Sequence, residues 1–199
     1  MNLVLTIIFG VIGLVGVILT VHFGRKSARL ERERKSINWS DVQLAASDLA
    51  EKIRHSGFLP SLILAPGARG GIIAEALAQD LGGAIAVVVG ITEWKESGLF
   101  EGDLSKYECF ETNKWKVCIP KCVFDNLDTR ILVVDDLTMS GGAMQKIRSM
   151  LEEKGVAEDK IRTATIVTTT VAIQNHMAPD FYWKETDSPS FFFPWGKAK

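Results

Sequence analysis

The segment ILVVDDLTMSGGAMQKI, Ile131 to Ile147, constrains what this chain can fold into more than any other stretch. An apolar run rich in β-branched residues ends in two adjacent acids, and a loop of small residues then opens directly into a helical pattern. Such a run, without polar alternation, suits a strand buried on both faces, as in a parallel sheet. Two neighbouring carboxylates, Asp135 and Asp136, are costly at the end of that strand unless they reach solvent, a metal or ligand hydroxyls. The loop of Thr138, Met139, Ser140, Gly141 and Gly142 would present backbone N–H groups and two hydroxyls at a helix N-terminus, where the dipole and the unpaired donors favour a phosphate. A plainer reading has an acid capping the helix and the glycines making a turn.

The rest of the soluble part repeats this alternation. Ser40 with Gln43 has the form of a capping box, and Val42, Ala45, Leu49 and Ile53 follow at helical spacing until Gly57. Ser61 to Ala65 reads as a strand, PGARGG as a loop, and Ile72, Ile73, Ala76, Leu77 and Leu81 as a helix. Ile85 to Gly90 and Thr163 to Val171 are further β-type runs, and a second crossover helix lies between Gln145 and Leu151. The order is strand-helix-strand, an insertion, then strand-helix-strand, which predicts a doubly wound α/β fold with a mainly parallel sheet. The insertion, Thr92 to Asn126, shows no sustained period and is expected to be a functional lid. The aromatic, proline-punctuated tail after Met177 is expected to form a small hood near the strand ends.

The loop PGARGG offers a second anion site. Arg69 can pair bidentately with phosphate oxygens, and its glycines let backbone amides approach. Two phosphate sites facing a pair of hydroxyl-binding acids describe a phosphorylated sugar pyrophosphate. Neither G-x-x-x-x-G-K-[ST] nor G-x-G-x-x-G is present, which argues against the main nucleotide-binding alternatives.

From Leu3 to Phe23 no side chain is charged, and as a helix this stretch would measure about 31 Å, close to the hydrocarbon thickness of a bilayer. A signal peptide is the rival reading, but no basic residue precedes the run and no A-x-A-like site follows it. The flank Arg25 to Lys35 carries six basic and two acidic residues, which places the following chain in the cytoplasm. The predicted organisation is a transmembrane anchor over 1–24, a basic juxtamembrane linker over 25–37 and one domain over 38–199, held at the cytoplasmic face of the inner membrane as a single-pass protein. A net charge of -1 implies no nucleic-acid partner. The three cysteines, Cys109, Cys118 and Cys122, are an odd set that suits free thiols in a reducing compartment better than disulfides. Cys118 and Cys122 lie close together but lack the second pair that a zinc site needs.

VVDDLTMSGGA, Val133 to Ala143, resembles the ribosyl-phosphate-binding signature of the type I phosphoribosyltransferases. LILAPGARGGIIAEALAQDLG, Leu62 to Gly82, resembles that family's pyrophosphate loop and the helix after it, and the tail APDFYWKETDSPSFFFPWG resembles that of the xanthine, guanine and hypoxanthine branch. The resemblance implies a donor, 5-phosphoribosyl 1-pyrophosphate (PRPP), transferred to a base. Asp135 and Asp136 would meet the ribose hydroxyls, the Thr138 to Gly142 loop the 5′-phosphate, and Gly67, Ala68, Arg69 and Gly70 the pyrophosphate. Asp135, Asp136 and Arg69 would be the catalytic set. Magnesium would come with the donor, with no direct protein ligand, and a homodimer is among the partners implied.

The chain departs from the pattern at defined points. Ala143 stands where the signature usually ends in threonine, Ser190 where a stacking tryptophan is usual, and Gly196 where an acid commonly follows FPW. No lysine lies between Arg162 and Trp183 to read a purine ring oxygen. Tyr182, Trp183, Phe191 and Phe193 are the candidates for another ring surface, with plain core packing as the alternative. Two functions follow: a membrane-anchored phosphoribosyltransferase acting on a purine-like or other base, or a non-catalytic PRPP or nucleotide sensor, with a role in stress or antiviral defence suggested only by the anchor.

Overall fold

The long apolar runs become the strands of one parallel sheet. The computed structural model describes residue 13 and residues 16–27, 36–95, 102–112, 114–188 and 190–197. In it the strands β1 (Leu62–Ala65), β2 (Ala86–Val89), β6 (Ile131–Thr138), β7 (Ile161–Thr169) and β8 (Phe181–Thr186) lie in the order β2-β1-β6-β7-β8, every neighbouring pair parallel. Helix α2 (Ala68–Leu81) crosses from β1 to β2 and α3 (Gly142–Glu153) from β6 to β7. The main core sets α1 (Trp39–His55) and α2 against one face of the sheet, through Leu49, Ile53, Ile73 and Leu77 on Leu132 and Val134. A second core sets α3 against the other face, through Ile147 and Leu151 on Ile131 and Val133. Chain direction therefore turns outward from β1 on one side and from β6 on the other, leaving a crevice between their carboxyl ends where ligands bind in open α/β sheets.

Helix α1 is capped two residues earlier than expected. Asn38, not Ser40, is the N-cap: its side chain accepts from Asp41 N at 3.0 Å while Asp41 accepts from Asn38 N at 2.8 Å. Asparagine caps as well as serine does, and this reciprocal box is worth about 1 kcal/mol. The folded body also starts ahead of the expected boundary at 38, because Ile37 is buried in the main core and its N–H donates to Phe192 O.

Three expectations are corrected by the strands. The tail contributes β8, a fifth sheet strand, before the hood hairpin of β9 (Phe192–Phe193) and β10 (Gly196–Lys197). The insertion is an antiparallel sheet of β3 (Ile91–Trp94), β4 (Tyr107–Glu111) and β5 (Trp115–Pro120), not a span without regular structure. Its strands are short, so their period-2 pattern never accumulates. Trp94 and Trp115 face each other edge-on, Lys154 ties Glu108 to α3, and Val117 and Ile119 join the second core. Cys109 and Cys118 are direct cross-strand partners and form a disulfide, so the expectation of three free thiols fails and only Cys122 is free. Pairing by strand register, invisible to local spacing, brings the two together.

Residues 16–27 are helical, with Val17, Leu19 and Phe23 exposed. The span expected over Leu3–Phe23 falls largely outside the described residues, and no helix among the described residues is long and apolar enough to cross a membrane.

Candidate functional site

Asp135 and Asp136 occupy the carboxyl half of β6, at the mouth of the crevice. Gly70 explains how α2 reaches them. A Cβ on Gly70 would stand 2.4 Å from Val134 O and 3.2 Å from Asp135 Cα, so only glycine lets the first turn of α2 lie on this strand. That contact carries Arg69 beside the acids, with Nη1 3.9 Å from Asp136 Oδ2 and the side chain partly exposed. PGARGG is thus shorter as a loop than expected, since Ala68, Arg69, Gly70 and Gly71 already belong to α2.

Both carboxyls hold their protons more tightly than an ordinary aspartate. Burial pushes Asp135 up to about 7, with the negative charge of Asp136 adding to it. Burial also raises Asp136, against the opposing pull of the Trp195 indole and the Arg69 guanidinium. Asp136 N–H donates to Asp135 Oδ1 at 2.9 Å, and Trp195 Nε1 donates to Asp136 Oδ2 at 3.0 Å. A buried and a half-buried acid with one loosely placed cation form a site that is costly to ionise without a further partner.

The helix starts complete the geometry. Asn38 caps α1 and Thr169 caps α4 (Thr170–Gln174), but Gly67 and Gly141, the N-caps of α2 and α3, supply no side-chain cap. Both helices that leave the crevice therefore keep backbone donors available for an anion. Gly141 is required twice over: its φ is 83°, and a Cβ there would meet Met177 O at 2.2 Å. Thr138 ends β6 with its hydroxyl buried and without a protein partner, while Thr169 ties the loop to β7 by donating to Met139 O. Met139, Ser140 and Gly142 are exposed around it.

The phosphoribosyl transferase domain family matches residues 38–198. The chain belongs to this family. No curated protein sequence is significantly similar to it. Among solved structures it is similar to a purine phosphoribosyltransferase from Pyrococcus horikoshii (24% identity, 82% of this chain and 94% of that one, TM-score 0.59). It is similar also to the xanthine-guanine-hypoxanthine phosphoribosyltransferase of Helicobacter pylori (19%, 81% and 93%, TM-score 0.53). A third is a hypothetical protein from Neisseria gonorrhoeae with bound ppGpp (20%, 81% and 89%, TM-score 0.58). These likenesses are ones of fold.

In this phosphoribosyltransferase domain the acids, Arg69 and the Thr138 to Gly142 loop converge on one crevice, while the four aromatic candidates do not form one surface. Phe191 is fully enclosed and Phe193 is 5% exposed, both in the main core, so neither has a free face for a ring. Trp183 is half-buried and packs on that core, and Tyr182 is half-buried on edge strand β8, its carbonyl held by Lys52 Nζ. The residue that the sequence did not single out is Trp195. A tryptophan 59 positions after Asp136 gives no local signal of contact with it.

Proposed function

We propose that the chain binds PRPP in the crevice between β1 and β6 and transfers its phosphoribose to a nitrogenous base of the purine kind, releasing pyrophosphate. The observation that carries this reading is the convergence of two proton-retaining acids with two uncapped helix starts, one beside Arg69 and one beside the unpartnered Thr138 hydroxyl. The acids suit ribose hydroxyls, the start of α3 the 5′-phosphate, and the start of α2 with Arg69 the pyrophosphate. A divalent cation brought with the donor would favour the ionised form of Asp135 and Asp136, and magnesium would supply charge neutralisation there. A base nitrogen then bonds to the anomeric carbon as the bond to the pyrophosphate oxygen breaks through an oxocarbenium-like state, and the base gives up one proton to solvent. The chain's own residues contribute orientation, and Arg69 with the α2 amides stabilises charge on the leaving group.

Membrane attachment belongs to the same proposal. It is supported by the uncharged run from Leu3 to Phe23, the basic flank and the apolar side chains exposed along residues 16–27. A second reading, a sensor that binds the donor or a nucleotide without turnover, is favoured by the enclosure of Phe191 and Phe193, which removes half of the expected ring surface. Pyrophosphate release by the full-length chain, given PRPP, magnesium and a panel of free bases, separates the two. Release with one base supports transfer; saturable binding without release from any base supports the sensor; neither sinks both.

A further inference from the structure

Trp195 is held on two sides. Its ring lies flat on Phe193, with centroids 5.1 Å apart and 9° between planes, and meets Trp39 edge-on at 5.7 Å. Phe193 belongs to the buried core, whereas Trp39 opens α1 and is 58% exposed. Packing at this place needs a ring but not an N–H, since a phenylalanine could also lie against Phe193. The indole N–H nevertheless points at Asp136 Oδ2 at 3.0 Å, nearer than Arg69 Nη1 at 3.9 Å. Asp136 is thus joined at once to the hood and, more loosely, to the first turn of α2.

We infer that Trp195 is a positioning residue of the donor site: its indole N–H fixes the orientation of the Asp136 carboxylate, and the Phe193 and Trp39 rings hold the indole in place to do so. This rests on the reading that the ribose of the donor docks at Asp135 and Asp136. The groups facing Asp136 are Asp135 from its own strand, Arg69 from α2 and the neutral indole from the hood. A hydrogen bond given to a carboxylate favours its ionised form, so the indole works against the burial that raises Asp136. Ordering of the hood and binding of ligand hydroxyls then act through one carboxylate, and Trp39 extends that link to the start of α1.

The test is Trp195→Phe in the full-length chain, which keeps an aromatic ring against Phe193 and removes the donor with part of the ring. The expected result is an unfolding midpoint close to wild type, PRPP affinity at pH 7 lower by about tenfold, and a loss of affinity on the acid side that sets in at higher pH. Unchanged affinity and an unchanged pH profile would overturn the inference. Wild-type protein that binds no PRPP at any pH would instead overturn the reading of the site, and the inference with it. If Trp195→Phe does not fold, the indole N–H signals of the 15N-labelled chain, which has five tryptophans, decide the matter. One signal should be displaced in Asp136→Asn and should move in wild type on PRPP addition; no displaced signal means that the indole does not hold Asp136.

Discussion

The carboxyl end of the parallel sheet and the antiparallel insertion draw on similar apolar residues but are held together differently. At the sheet end, backbone approaches backbone: Gly70 sits on Val134 and Gly141 on Met177, with no room for a Cβ at either. The insertion has its own backbone ladders and one close approach, Gly90 on Cys118, but adds side-chain fastenings that the sheet end lacks: the Cys109–Cys118 disulfide, the Trp94–Trp115 pair and the ion pairs of Lys95 with Glu111 and Lys154 with Glu108. Rigid backbone contact puts the acids and helix starts in fixed register, as electrostatic preorganisation requires. The side-chain fastenings are the part of the insertion that single substitutions can remove, although Val117 and Ile119 also reach the core under β6.

The contrast is broken most strongly at Gly70. Gly70→Ala forces β6 and α2 apart and should cost about 3 kcal/mol in urea unfolding, whereas Gly142→Ala, whose Cβ meets only Ser140 Oγ at 3.7 Å, should stay within about 0.5 kcal/mol. Equal costs would remove the claim of backbone contact. Next in size is the disulfide. Cys109→Ser opens a bridge between residues nine apart and should cost roughly 2–3 kcal/mol, read as faster hydrogen exchange in β4 and β5 with β6 and α3 unchanged. Acceleration throughout the chain would show that the two regions are one cooperative unit. The same bridge bears on placement: alkylation of the denatured, unreduced protein should label Cys122 alone, and three labelled cysteines would point to a compartment that keeps thiols reduced.

A smaller effect lies in the acids themselves. Folding holds both carboxyls above their ordinary range, so ionising them opposes folding. The cost is absent below about pH 4, where folded and unfolded chains are both protonated, and grows as pH rises toward the Asp135 value of about 7. Asp135→Asn should therefore stabilise the ligand-free chain by something on the order of 2 kcal/mol at pH 8 and by nothing at pH 3.5. Destabilisation at pH 8 would mean that the acid is a structural cap. The smallest effect is expected from Ala143→Thr, which adds a hydroxyl to the first turn of α3 and should tighten PRPP binding by about fivefold without changing stability.

These two regions also differ in how far they could be read from sequence. The acids and the Thr138 to Gly142 loop lie in one continuous segment, so strand, loop and helix announce themselves together. The insertion is built from three short strands whose register depends on partners elsewhere, and the near neighbour of Cys118 in sequence is Cys122, whereas its cross-strand partner is Cys109. Edge strand β8 gives no separate signal, because its half-buried residues carry no clean pattern. Phe191 and Phe193 looked like a ring surface for the same reason that they make good core, and the bond from Trp195 to Asp136 exists only in three dimensions.

Calorimetric titration of PRPP with magnesium into the full-length chain, wild type beside the Asp135→Asn, Asp136→Asn double variant, tests the placement of the donor site most directly. Saturable binding by wild type, weakened at least about 100-fold in a double variant that stays folded, is the predicted result. Equal affinity in the two proteins, or no binding by wild type, would contradict it.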